Sequence, residues 1–148
     1  MLANILSITR TGFEESLELS RRFRALRLWL SPRYHGLRAF RVAIQKDLDL
    51  AQHLATAIDE HPDLEMLVPV ELSAVCFRYT ADETHADDEL NRRNAAILKR
   101  VIQRGRVYLS NATLRGKFCL RACIVNQRTT ETDVDSVISE VLAAAKDQ

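Results

Sequence analysis

The sequence predicts an α+β fold in which helices cover a small, mostly antiparallel sheet. The chain has 148 residues, 47% of them hydrophobic and 28% charged, which is enough to bury a substantial core in one domain. Four segments repeat apolar residues at helical spacing, and short strand-like runs lie between them in pairs. The expected element order is therefore α-α-β-β-α-β-β-α.

Two helices are predicted in the N-terminal part of the chain. Residues 1–19 are mixed in character and are expected to form an extension before them. The first helix covers 20–35, with Ser20 as its N-cap and Gly36 as its stop. The second, 37–61, has the clearest apolar stripe. The stripe consists of Leu37, Phe40, Ile44, Leu48, Ala51, Leu54, Ala55 and Ile58.

Two short strands and a third helix are predicted next. The strands cover 64–68 and 72–79. The second strand places three apolar residues on one face: Val75, Phe77 and Tyr79. Acidic residues from Asp82 onward begin the third helix and basic residues end it, which complements the helix dipole. Gly105 is its stop signal.

The C-terminal part predicts two more strands. The first is short, 107–110, and a loop that contains Asn111 and Gly116 joins it to a strong strand, 117–125.

The last helix is predicted over 131–146. Thr130 is its N-cap, and Asp133 stands three residues later as a short-armed capping box. Its apolar stripe consists of Val134, Val137, Ile138, Val141, Leu142 and Ala145.

Composition excludes several functional classes. The net charge, 21 − 20 = +1, gives no global field that would attract nucleic acid or an anionic membrane. No apolar run approaches the ~20 residues of a membrane span. No basic region precedes the apolar start of the sequence, so we expect no signal peptide. We expect a cytoplasmic location.

The cysteines and histidines predict neither disulfides nor a metal site. Three cysteines are too few for a disulfide framework. Cys119 and Cys123 would lie roughly 13 Å apart along a strand, so small buried apolar cysteines are expected. The histidines are scattered and form no metal or nucleotide motif. They are His35, His53, His61 and His85.

Seven arginines cluster near the first helix and leave two interpretations open. They are Arg21, Arg22, Arg24, Arg27, Arg33, Arg38 and Arg41. With Trp29 and Tyr34 nearby, they could serve RNA binding. The following stretch is acidic, however, and a charge match within the chain or between subunits explains both. We expect the second and no nucleic-acid partner. The acidic set is Asp47, Asp49, Asp59, Glu60, Asp63 and Glu65.

Arg121 is the most informative single residue because it stands inside an apolar strand. Strand alternation puts it on one face with Cys119, Cys123 and Val125. A buried arginine is costly unless an anion pairs with it. It could form a structural salt bridge with an internal acid, or lie on an edge strand where the guanidinium reaches water. It could also bind a substrate carboxylate, which guanidinium matches with two parallel hydrogen bonds.

Several ordered blocks resemble pyridoxal-phosphate-dependent amino-acid decarboxylases of the aromatic-amino-acid and glutamate group. Residues 20–29, SRRFRALRLW, followed by Tyr34 and Gly36, resemble that family's R-R-F-R-x-L-K-x-W…Y-G pattern. Residues 75–78, VCFR, resemble one of its strands. The block F-x-L-R-x-x-I-x-N over 118–126 and the stretch RTTETDVD that follows resemble its terminal region.

The resemblance implies the small C-terminal domain of a fold-type I pyridoxal-phosphate enzyme, together with the preceding helices, over 20–148. It implies a carboxy-lyase whose arginine matching Arg121 holds the carboxylate of the amino-acid substrate, as in the glutamate branch. It also implies a homodimer or a cofactor-bearing decarboxylase subunit as partner. The N-terminal helices of the family pack in a dimer, so exposed apolar surface such as Trp29 is expected in the chain by itself.

The resemblance also shows what the chain lacks. The family's cofactor lysine follows a histidine in an upstream domain, and none of this chain's lysines does. No catalytic or cofactor-binding residue is therefore assigned, and the chain by itself is predicted to be inactive. Two functions remain open: the C-terminal part of a decarboxylase, or a non-catalytic remnant used for dimerisation or interaction. An arginine-rich nucleic-acid-binding module ranks below both.

Overall fold

The computed structural model of the chain describes residues 23–81 and 86–147. Within these ranges the element order is the predicted one, and the fold class is confirmed. The predicted N-cap Ser20, the segment 1–19 and the acids Asp82 and Glu83 lie outside the described residues. The helices are α1 (Arg24–His35), α2 (Leu37–Asp59), α3 (Asp87–Arg104) and α4 (Glu131–Lys146). The strands are β1 (Leu64–Met66), β2 (Ala74–Tyr79), β3 (Ser110–Leu114) and β4 (Lys117–Cys123).

The four strands form one sheet in the order β1-β2-β4-β3. Every neighbouring pair is antiparallel. β2 and β4 are therefore interior strands, and β1 and β3 are the edges. Residues opposite each other on neighbouring strands lie on the same face of the sheet. The register therefore determines which side chains are neighbours in the site.

One face of the sheet, the inner face, carries the core. The predicted set on β2 is confirmed, because Val75, Phe77 and Tyr79 are all buried there. Leu120 and Ala122 of β4 continue the face. The core is completed by side chains of α2, α3 and α4, which belong to the same compact unit, Ala39–Gln148. Burial of this apolar surface is the main stabilising term of the fold.

The opposite face, the outer face, carries thiol, hydroxyl and guanidinium groups. It is defined by Cys76 and Arg78 of β2, Cys119 and Arg121 of β4, and Ser110 and Ala112 of β3. None of these six residues belongs to the hydrophobic core cluster.

Two asparagines of α3 fasten the helix to the sheet. The buried Asn94 side chain accepts from the Tyr79 N–H at 2.8 Å and donates to the Tyr79 carbonyl at 3.0 Å. Asn91 donates to the Gly116 carbonyl at 2.9 Å and accepts from the Phe118 N–H at 2.7 Å. These bonds pair backbone groups at the end of β2 and the start of β4 that would otherwise be buried without a hydrogen-bond partner.

The last helix agrees with the sequence at both ends. It covers the predicted residues, and Thr130 and Asp133 form the predicted capping box. The Asp133 N–H donates to the Thr130 hydroxyl at 3.3 Å and the Thr130 N–H donates to the Asp133 carboxylate at 2.9 Å. Two orphan amides of the first turn are thus satisfied.

The prediction for residues 107–116 is wrong in detail. The strand begins at Ser110, where it was predicted to end, and Asn111 lies within it instead of in a loop. The turn is only two residues long: Arg115 at φ 51° and Gly116 at φ 82°. Two consecutive positive φ angles match the twist of a tight hairpin, which is why β3 runs on to Leu114.

The burial predicted for Cys123 is also wrong. β4 ends at Cys123 instead of Val125, and the Cys123 side chain is exposed. Cys76 and Cys119 are buried as predicted, and all three cysteines are free thiols. Their positions on the sheet keep Cys119 and Cys123 on the same face but four residues apart.

Helix α1 belongs to a separate compact unit, Met1–Arg38. It ends at the predicted Gly36, whose positive φ of 81° favours glycine and whose N–H donates to the Pro32 carbonyl. None of its residues is buried, and Trp29 is 58% exposed. The predicted exposure of apolar surface on this helix is confirmed. No helix in the described ranges is long and apolar enough to cross a bilayer.

Candidate functional site

Arg121 lies at the middle of the outer face. Its position on the interior strand β4 is opposite Cys76 of β2 on one side and Ser110 of β3 on the other. The side chain is half-buried. The interpretation as an edge-strand arginine is therefore wrong, since strands flank β4 on both sides.

A hydroxyl, not a carboxylate, holds the Arg121 guanidinium. Its Nε donates to Ser110 Oγ at 2.9 Å, and Ser110 Oγ donates in turn to the Arg121 carbonyl at 3.3 Å. Among the residues that the structure describes, no carboxylate forms a hydrogen bond or ion pair with Arg121. No acceptor within the described residues binds its two terminal nitrogens, which can donate to another acceptor.

The Cys119 thiol, on the same face of β4 as Arg121, does not neutralise the charge of the guanidinium. Burial is the main cause that raises the pKa of Cys119 to about 11, and the neighbouring Cys76 adds to it. Cys119 is therefore a protonated, neutral thiol at pH 7, and its Sγ donates to the Ala112 carbonyl at 3.4 Å. The surroundings of the guanidinium on the sheet are a hydroxyl and a neutral thiol, neither of which is an anion.

Arg78, on the same face, is bound in the opposite way. Its Nε donates to Glu65 Oε2 at 2.5 Å and its Nη1 to Asp87 Oδ1 at 2.9 Å. Burial opposes the charge of Arg78, but the bonds to Asp87 and Glu65 outweigh it and raise the pKa. The hydrogen bond from Arg78 likewise lowers the pKa of Asp87. Arg78 thus ties β2 to β1 and to the start of α3.

Sequence reasoning quoted Arg78 only as part of a motif and missed this structural role. A signal was present: acids at Glu65 and Asp87 flank the strand that carries it. Glu65 had been assigned to the acidic set that was expected to match the arginine cluster, and in the structure it pairs with Arg78. In the described ranges no group of three His, Cys, Asp or Glu side chains could hold a metal ion.

The sequence of this chain matches one protein family over half of its length. The sequence model described as the pyridoxal-dependent decarboxylase conserved domain matches residues 7–80. That is half of the 148 residues. The chain belongs to this family. The resemblance in the sequence blocks is therefore confirmed.

Several curated relatives are named as decarboxylases of aromatic amino acids. The chain is 36% identical over 134 residues to an aromatic-L-amino-acid decarboxylase of Bacillus atrophaeus, which covers 90% of this chain and 28% of the relative. It is 35% identical over 118 residues to tyrosine decarboxylase 2 of Arabidopsis thaliana, covering 80% of this chain and 22% of that protein. The chain thus spans less than a third of the length of these relatives.

A solved decarboxylase shares the fold. The crystal structure of Catharanthus roseus tryptophan decarboxylase in complex with L-tryptophan matches with a TM-score of 0.75 and 27% identity. The match covers 86% of this chain and 27% of that one. The arrangement of helices on a small antiparallel sheet is thus one that pyridoxal-dependent decarboxylases contain.

The family implies pyridoxal phosphate, but the lysines of this chain do not fit a site for it. Lys46 is exposed and donates to the Gln127 carbonyl at 3.2 Å. Lys117 Nζ lies 3.9 Å from Glu65 Oε1. Lys99 and Lys146 are exposed on helices. None of the four is preceded by the histidine of the family's motif.

Proposed function

We propose that the chain is the C-terminal part of a pyridoxal-phosphate-dependent amino-acid decarboxylase. Residues 20–148 would form the small domain with its preceding helices, and 1–19 the extension before it. The observation that carries the proposal is Arg121, a half-buried guanidinium in a decarboxylase-family chain that is bound by a serine hydroxyl and by no carboxylate among the described residues. The free cysteines support a reducing compartment, and we propose the cytoplasm.

In this proposal Arg121 binds the carboxylate of the amino-acid substrate. A guanidinium presents a planar fork of donors that matches a carboxylate with two parallel bonds. A half-buried positive charge without an anion is unfavourable, so an incoming carboxylate gains attraction and relieves that cost.

The chemistry of carbon dioxide release would come from outside this chain. Pyridoxal phosphate supplies the electron sink for the charge that develops at the substrate α-carbon. Since the chain's lysines do not build its site, we propose that the chain by itself has no decarboxylase activity. The cofactor-bearing partner would be the remainder of a longer protein or a separate subunit.

The test compares the chain alone with the complete enzyme, in which it is joined to or mixed with the cofactor-bearing part. Decarboxylation of L-tyrosine, L-tryptophan and L-glutamate is followed by carbon dioxide release. In the complete enzyme, Arg121→Ala should reduce kcat/KM on the order of a hundredfold, because a charge-assisted bidentate contact is lost. Arg92→Ala is the matched control, since Arg92 is an exposed arginine on α3.

Two results would contradict the proposal. Equal kcat/KM for wild type and Arg121→Ala would remove the carboxylate-binding role. Stoichiometric, borohydride-reducible attachment of pyridoxal phosphate to one lysine of the chain alone would show that this chain builds a cofactor site, against the geometry of its lysines.

A second function, dimerisation or docking without catalysis, is favoured by the exposed side chains of α1. Phe23, the residue before α1, and Leu28 and Tyr34 within it are each more than 70% exposed. Arg33 stacks over Trp29 at 5.0 Å from the ring centroid. Apolar surface of this kind marks an interface. We propose a second copy of the chain or the cofactor-bearing part as the partner. Sedimentation equilibrium of the chain alone tests self-association. A monomer at every concentration would exclude the second copy as partner, and failure to bind the cofactor-bearing part as well would contradict the docking role.

A further inference from the structure

We propose that Ser110 is a positioning residue for Arg121 and sets the direction from which the substrate carboxylate approaches. The inference rests on the proposed function and deepens it. It assigns a role to the first residue of β3, which acts through Arg121 and does not itself touch the substrate.

The two side chains form a closed pair. Ser110 and Arg121 are register partners on β3 and β4, so their side chains leave the sheet side by side. The serine hydroxyl accepts from Nε at 2.9 Å and donates its only proton to the Arg121 carbonyl at 3.3 Å. The hydroxyl has no further proton for a ligand, and both of its bonds hold the same residue.

The bond that Nε makes to Ser110 decides which edge of the guanidinium is left to bind a carboxylate. The group can bind a carboxylate side-on, through Nε and one terminal nitrogen, or end-on, through the two terminal nitrogens. The bond from Nε to Ser110 takes the side-on edge. A carboxylate is therefore received end-on, by the two terminal nitrogens.

The hairpin holds Ser110 in the position that this role requires. The two-residue turn at Arg115 and Gly116 fixes the register of β3 on β4. Asn91 of α3 binds the Gly116 carbonyl and the Phe118 N–H, which fastens the turn to the helix. On the other flank of Arg121, Cys76 lies opposite but forms no such bond to it among the described residues.

The experiment compares Ser110→Val with Ser110→Thr in the complete enzyme. The two replacements have the same shape and suit a strand, but only threonine keeps the hydroxyl. We expect Ser110→Val to raise KM for the amino acid on the order of tenfold, the effect of one lost hydrogen bond to a charged group. Ser110→Thr should stay within about twofold of wild type, because its hydroxyl restores the bond to Nε.

The decarboxylated amine separates positioning from general damage. Tryptamine lacks the carboxylate that L-tryptophan carries, so its inhibition constant should not change in Ser110→Val. If the enzyme decarboxylates L-tyrosine, tyramine and L-tyrosine give the same comparison. A parallel loss for amine and amino acid would overturn the proposal, since it would show that the whole site is disturbed. In an Arg121→Lys background, Ser110→Val should have no further effect on KM.

The outcomes distinguish this inference from the proposed function. If Arg121→Ala leaves KM unchanged, the carboxylate-binding role fails, and with it the role of Ser110. If Arg121→Ala raises KM while Ser110→Val does not, only the role of Ser110 fails.

A measurement on the 148-residue chain needs no activity. The Arg121 Nε–H proton should exchange slowly with water in nitrogen-15 NMR spectra of wild type and Ser110→Thr, and fast in Ser110→Val. Fast exchange in the wild type would overturn the proposal.

Discussion

The inner and outer faces of the sheet are built from the same strands but by different means. On the inner face, the side chains of β2 and β4 join one apolar core with three helices. On the outer face, alternate residues of those strands carry two arginines, one bound to two carboxylates and the other to a hydroxyl. The difference teaches that most of the stability comes from the inner face. The chemistry of the outer face depends on which of its arginines has no carboxylate bound to it.

The largest expected effect comes from the inner face. Phe77→Ala should lower the free energy of unfolding by about 3–5 kcal/mol, because the fully buried ring leaves a cavity between the sheet and the helices. Its outer-face neighbour Cys76→Ala should cost about 1 kcal/mol. Urea denaturation of the chain, with the slope checked for constancy, measures both. Equal losses for the two variants would break the comparison.

A smaller effect, dependent on pH, is expected at Arg78. Arg78→Met should cost about 1–2 kcal/mol at neutral pH, since the carboxylates it leaves at Glu65 and Asp87 still reach water. The lowered pKa of Asp87 means that the ion pair stabilises the fold above the ordinary carboxyl range and is lost as pH falls through the folded-state pKa.

The difference between wild type and Arg78→Met should therefore shrink between neutral pH and about pH 3. Urea midpoints at the two pH values measure this. A difference that grows in acid would show that Arg78 stabilises the fold by packing instead of by its charge.

The smallest expected effect on stability is at Arg121. Arg121→Met should change the free energy of unfolding by less than about 0.5 kcal/mol, because the lost bond to Ser110 is offset by removal of a half-buried charge that has no ion-pair partner among the described residues. The same urea titration measures it, beside the activity of the complete enzyme. A loss as large as that of Arg78→Met would identify Arg121 as a structural residue. That result would count against the proposed function.

Element order and caps could be predicted because they depend on local chemistry. Thr130 and Asp133 cap α4 through groups three residues apart, and Gly36 and Gly105 end helices through positive φ angles. The position of β3 could not be predicted in this way. An arginine at φ 51° before a glycine is no common turn signal, so the hairpin and its register stayed hidden.

The missing register explains why the site was only half predicted. Arg121 was identified from its strand alone, whereas its partner Ser110 was placed at the end of a separate strand. The choice between a salt bridge, an edge position and a free charge depends on residues across the sheet. Sequence alternation assigns a face to a residue but not a neighbour.

Ser110 and Arg121 stand 11 residues apart and are joined through a two-residue turn. Both therefore lie within one local hairpin, a structure that forms in about 1–10 μs in isolated peptides. Their pairing needs no contact with a distant part of the sequence, so its contribution to the contact order of the fold is small. The same locality makes the pair sensitive to length. One residue inserted into the turn would shift the register, and a slip by one position turns a strand's side chains to the other face.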